Sequence, residues 1–88
     1  MAALDISSAR KAFRALGIGY LFADNAGGSQ CLTDVVSRIS DYLLYSNVQL
    51  GADYLVSVNS TNRVGSGAEA AREVFNAESV DEVAYGSS

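Results

Sequence analysis

Asp24, Asn25, Ala26, Gly27, Gly28 and Ser29 stand together, directly after an apolar run of Tyr20, Leu21, Phe22 and Ala23. Asp and Asn bring acceptors and an amide donor to one point. The two glycines allow positive φ and let another group approach with no Cβ in the way. The chemistry on offer is recognition by bare backbone and short polar groups, and an anion is one ligand that suits it. The spacing is not the G-x-G-x-x-G dinucleotide fingerprint, and no Gly-Lys-Ser/Thr follows to make a P-loop. A strand running into a polar turn accounts for the same residues without any ligand.

Other reactive groups are few. Cys31 is the sole cysteine and the chain has no His, so no Cys–His pair exists. Cys31 reads as a small apolar residue at a helix start rather than as a nucleophile. Lys11 is the only lysine. No residue of the chain is assigned a catalytic role, and no metal site is expected.

The elements that must position the turn are mostly helical. Asp5 suits the N-cap of a helix starting near Ile6, with Ile6, Ala9, Phe13 and Leu16 at helical spacing and Gly17 or Gly19 as the stop. Arg10, Lys11 and Arg14 fall on its other faces and read as a solvated surface. Residues 20–23 read as a short buried strand. A second helix is predicted over residues 32–45, capped by Ser29 or Thr33, with Leu32, Val35, Val36, Ile39, Tyr42 and Leu43 as a core-facing stripe. Residues 46–57 lose the pattern and read as a loop. A third helix is predicted over residues 58–75, weakened near Gly65 and Gly67 and ended by Asn76. Ser79 and Glu82 have capping-box spacing for one short turn. Val83, Ala84 and Tyr85 then read as a second strand.

At 88 residues the chain is one small domain at most, 1–88, with no internal boundary expected and marginal stability alone. A net charge of −4 makes nucleic acid an unfavourable partner. A hydrophobic content of 49% argues against disorder and is high enough that some of it calls for a covering partner. A single Cys fits a reducing compartment, the first residues lack a signal-peptide pattern, and no apolar run approaches a membrane span, so a cytoplasmic protein with no membrane partner is expected.

The eleven residues from Tyr20 to Gln30, Tyr-Leu-Phe-Ala-Asp-Asn-Ala-Gly-Gly-Ser-Gln, resemble the N-terminal signature of the class V aminotransferases, in the cysteine desulfurase-like branch. These are fold-type I enzymes dependent on pyridoxal phosphate. Residues 40–47, 57–61, 71–77 and 81–88 resemble later pieces of the same family, in the same order, so the likeness runs from about Arg10 to Ser88. The chain departs from the family in having no proline. Arg14, the segment 30–33 and Val80 stand where relatives commonly have one, which implies looser turns.

The resemblance implies an α/β parent fold, of which this chain holds mostly helices and two short strands. It implies that Gly86, Ser87 and Ser88 begin the loop that holds the phosphate of the cofactor, pyridoxal phosphate. It implies that Asn25, Ala26 and Gly27 line the substrate side of the site. The activity implied for the parent is carbon–sulfur cleavage or amino-group chemistry on a small amino-acid substrate. The Schiff-base lysine, the ring-stacking residue and the Asp for the pyridine nitrogen have no counterpart here, since Lys11 does not match the lysine. A strand running into Gly-Ser-Ser reads as a chain cut at a motif. The expectation is an N-terminal fragment, inactive alone, whose partner is the rest of the parent enzyme or a second subunit. The alternative is a stand-alone small acidic protein-interaction module without catalysis, using residues 46–57 and the helix stripes as its contact surface.

Overall fold

The computed structural model describes residues 2–87. Its regular structure is helical: α1 (Ile6–Lys11), α2 (Thr33–Tyr45) and α3 (Leu55–Phe75), with single 3₁₀ turns at Arg14–Gly17, Asn25–Gly27 and Val80–Glu82. The chain's contacts gather it into two units, one up to Leu44 and one from Tyr45 onward.

In the first unit, Asp5 caps α1 as its sequence position predicts. Its Oδ1 accepts the Ser8 N–H at 3.2 Å and its Oδ2 accepts the Ser8 hydroxyl at 2.8 Å. The helix stops at Lys11 instead of running to Gly17, because Phe13 turns extended (φ −116°, ψ 99°) before the 3₁₀ turn begins. The break has a use. It leaves the Ala12 carbonyl outside the helical ladder, where it accepts the N–H of Thr33 at 2.9 Å. Thr33 is the first residue of α2, and its N–H is one of the four that a helix start leaves without an internal partner.

In the second unit, α3 begins three residues earlier than its pattern suggests. Ser57 and Ser60, in its first two turns, are the buried side chains of the described residues. The Ser57 hydroxyl donates to the Gln49 carbonyl at 2.5 Å and accepts the Ala52 N–H at 3.0 Å. The Ser60 hydroxyl donates to the Ser46 carbonyl at 2.7 Å. Thr61 Oγ1 accepts the Gly51 N–H at 3.0 Å and donates to the Ser57 carbonyl at 2.9 Å. Three hydroxyls at helical spacing thus clamp the preceding loop onto α3. The helix runs unbroken through Gly65 and Gly67 and ends on Asn76 in the left-handed conformation (φ 54°, ψ 39°). The Ala77 N–H reaches the Arg72 carbonyl at 2.9 Å and the Asn76 N–H the Glu73 carbonyl at 3.2 Å, the paired bonds of a Schellman end. Ser79 caps the last short turn through the Asp81 N–H at 3.1 Å.

Two expectations are corrected. The α/β fold with two short strands is not found, since no strand occurs among the described residues. Residues 20–23 and 83–85 are not helical, but a strand is a pairing, and neither stretch pairs its backbone in a ladder with another extended segment among the described residues. The apolar stripe of α2 is not a core either: Leu32, Val35, Val36, Ile39 and Leu43 are all exposed, and no apolar side chain among the described residues is fully buried. Among the described residues no helix is long and apolar enough to cross a membrane.

Candidate functional site

The Asp24–Gly28 turn is built by two backbone bonds. The Gly27 N–H donates to the Asp24 carbonyl and the Gly28 N–H to the Asn25 carbonyl, each at 3.1 Å. The chain leaves the turn at Gly28 with φ 148° and ψ 134°, a conformation that only glycine adopts readily. Asp24 turns its carboxylate back over the turn, with Oδ2 3.0 Å from where a β-carbon on Gly27 would lie.

A cleft of about 350 Å³ opens beside this turn, lined by Tyr20 to Asn25, Gly28 and Gln30. Of the three residues expected to line a substrate site, Asn25 lines this cleft, while Ala26 and Gly27 complete the turn without lining it. Sequence reasoning passed over Tyr20 and Phe22 as site residues. Their rings lie 5.3 Å apart between centroids, tilted by 57°. The signal was available: residues two apart in extended chain share a side. The cleft therefore combines an aromatic pair, a carboxylate and a carboxamide. It is suited to a small polar ligand with a flat or apolar part.

Gly86 and Ser87 belong to the second unit and lie in exposed, non-helical chain, and Ser88 lies outside the described residues. A β-carbon on Gly86 would meet nothing within 4 Å. The donors fit a phosphate chemically, as a backbone N–H and a hydroxyl, but these two residues do not enclose one. Just before them, the Tyr85 hydroxyl donates to the Gly67 carbonyl of α3 at 3.1 Å and ties this stretch to the helix. Cys31 is exposed, not the buried small hydrophobe its sequence suggests, and shares a small cleft with Arg14, Thr33, Val36 and Ser37. None of these neighbours supplies a base to activate it.

The perturbed charges lie away from both places. The Ser8 hydroxyl and N–H hold the Asp5 carboxyl below its usual value. The Arg72 guanidinium does the same for Glu69, with Nε 2.7 Å and Nη2 2.6 Å from Glu69 Oε1, and is itself raised. These are helix-end devices, not catalytic groups.

The chain is similar to the aminotransferase-like protein FGM3 of Gibberella zeae, with 42% identity over 87 residues covering 94% of this chain. It spans 21% of that relative's length. No family model matches the chain, and no solved structure matches it. The kinship with aminotransferase-like proteins expected from the Tyr20–Gln30 signature is supported at that level.

Proposed function

We propose that this chain is a segment of a pyridoxal-phosphate-dependent enzyme of the class V aminotransferase type, in the cysteine desulfurase-like branch, and that it acts only within that larger protein. The observation that carries the reading is the 42% identity along 94% of the chain to an aminotransferase-like protein of which it spans 21%. When bound, pyridoxal phosphate supplies the electron sink for bond cleavage next to an amino acid's nitrogen. Gly86, Ser87 and Ser88 would contribute N–H and hydroxyl donors to its phosphate. Asn25, with Ala26 and Gly27 shaping its turn, would face a small amino-acid substrate through its carboxamide. The lone lysine, Lys11, sits on α1 and is given no part in the chemistry, so the chain by itself is inactive.

Its surface supports this reading. Two separate compact bodies, each of half the 9.2 kDa mass, would together expose about 5,900 Å². This chain exposes 7551 Å², with the α2 stripe and Leu21, Leu44, Val74 and Phe75 among the exposed apolar residues. The excess of about 1,600 Å² matches one side of a large permanent interface. Its natural cover is the remainder of the enzyme or a second subunit. The same exposure also favours the second reading, a stand-alone interaction module.

The deciding measurement is the mass of the native product in its source cells, detected with an antibody to this segment. A product several times 9.2 kDa that carries bound pyridoxal phosphate is the expected result. A product of 9.2 kDa would overturn the enzyme reading and leave the module.

A further inference from the structure

Three of the chain's six basic residues, Arg10, Lys11 and Arg14, lie within five positions of one another, in a chain whose net charge is −4. All three line one cleft of about 320 Å³, together with Ser7, Phe13, Leu16 and Gly17. No acidic residue lines it. Asp5, the nearest acid in sequence, is turned to the N–H and hydroxyl of Ser8.

The other three cations are differently placed. Arg72 is paired with Glu69 and Glu73. Arg38 and Arg63 have contacts of their own. By contrast, Lys11 and Arg14 form no ion pair among the described residues, and Arg10 spends one N–H on the Leu16 carbonyl at 3.4 Å. The last turn of α1 favours cations through its dipole, which accounts for Arg10 and Lys11 on the helix. It does not account for Arg14, beyond the helix end, lining the same cleft.

We propose that this cleft binds a phosphate monoester. Three basic residues lining one cleft match a ligand with more than one negative charge, and a phosphate monoester carries nearly two at neutral pH. Guanidinium groups meet phosphate oxygens in paired, parallel hydrogen bonds, and the Lys11 ammonium and Ser7 hydroxyl add single donors. Phe13 and Leu16, both half-buried, give the ester's organic body an apolar wall. The volume suits a small molecule. A long polyanion would meet the chain's acidic surface beyond the cleft and be repelled. This site is separate from the Gly86–Ser88 loop and does not rest on the aminotransferase reading.

The test is a titration of the isotopically labelled full chain with phenyl phosphate and with inorganic phosphate, followed by amide chemical shifts. Saturable shifts confined to residues 7–17 are expected, with phenyl phosphate the tighter ligand. Arg10→Gln and Arg14→Gln each weaken binding by about tenfold or more, and Arg63→Gln leaves it unchanged. Arg10 and Arg14 are exposed and Arg63 is half-buried, and the unliganded spectrum verifies that each variant keeps the fold. A parallel arm uses phosphatidylcholine vesicles with and without phosphatidic acid. Binding to the phosphatidic-acid vesicles but not to phenyl phosphate would keep the phosphate chemistry and assign it to a lipid headgroup. Shifts that never saturate, that spread evenly over all six cations, or that survive both substitutions would overturn the proposal.

Discussion

Oδ2 of Asp24 lies 3.0 Å from the point a β-carbon on Gly27 would occupy. The glycine-rich turn is therefore not open on every side: at Gly27 the space is taken by the chain's own carboxylate. At Gly28 the surrounding space is empty, and the backbone conformation, φ +148°, is what demands glycine. Two adjacent glycines thus stand under two different constraints, a side chain's closeness at Gly27 and the backbone conformation at Gly28.

Alanine at the two positions separates those reasons. Gly27→Ala asks a flexible carboxylate to move by a few tenths of an ångström, and alanine also reduces the freedom of the unfolded chain, so stability changes by less than about 1 kcal/mol. Gly28→Ala forces a strained backbone and costs about 1–3 kcal/mol. Denaturant unfolding checks the order. In the Gly27→Ala protein the Asp24 carboxyl resonance shifts, and Asp24→Ala combined with Gly27→Ala removes the coupling. Equal losses at both positions would show that the backbone reading of Gly28 is wrong.

What could be read from the sequence was what depends on neighbours in sequence. The Asp5 cap, the span of α2, the Asn76 stop and the Ser79 cap are all local, and all are present. What escaped depends on distant partners. The early end of α1 at the extended Phe13 goes with a bond from the Thr33 N–H to the Ala12 carbonyl, twenty-one positions away. The start of α3 is set by hydroxyls reaching back to Ser46, Gln49 and Ala52. The apolar run at residues 20–23 specified extended chain, but not a strand to pair with. In the cleft, Asn25 could be picked out from its type, whereas Tyr20 and Phe22 look like core until the core proves absent.

The buried hydroxyls give the next prediction. Ser57→Ala leaves the Ala52 N–H and the Gln49 carbonyl without this partner, while Ser60→Ala removes one of two bonds at the Ser46 carbonyl, which keeps the Val48 N–H. The expected losses are about 1–3 kcal/mol for Ser57→Ala, and less for Ser60→Ala. Hydrogen exchange at the Ala52 amide should accelerate in the first variant only. Unchanged exchange there would mean the loop is held by something other than Ser57.

The glycines of α3 run the other way. The helix is continuous through Gly65 and Gly67, their φ values are ordinary, and a β-carbon at either would meet nothing within 4 Å. Each Gly→Ala change should therefore stabilise the helix by about 0.5–1 kcal/mol. Gly67→Ala keeps the carbonyl that accepts the Tyr85 hydroxyl, so the two gains should be alike. Thermal unfolding is the measurement. A loss at Gly67 alone would show that its bare backbone is needed by a partner surface.

Acid should loosen both helix-end devices, and the sign follows from the direction of the shifts. Asp5 and Glu69 are lowered from 3.8 and 4.5, by the Ser8 hydrogen bonds and by the Arg72 hydrogen bond respectively. A carboxyl lowered by folding stabilises fully above its unfolded value, and that contribution drains away as pH falls through the folded value. Helicity at α1 and at the C-terminal end of α3 should thus hold at neutral pH and fall below about pH 4. Both carboxylates are exposed, so salt should shrink the Glu69–Arg72 part. Carbon chemical shifts followed from pH 7 to pH 2 resolve the two sites. Asp5→Ala should remove the acid response at α1 and spare that of α3, and Glu69→Gln the reverse. If α1 frays at the same pH with Asp5 replaced, the cap is not what the acid breaks.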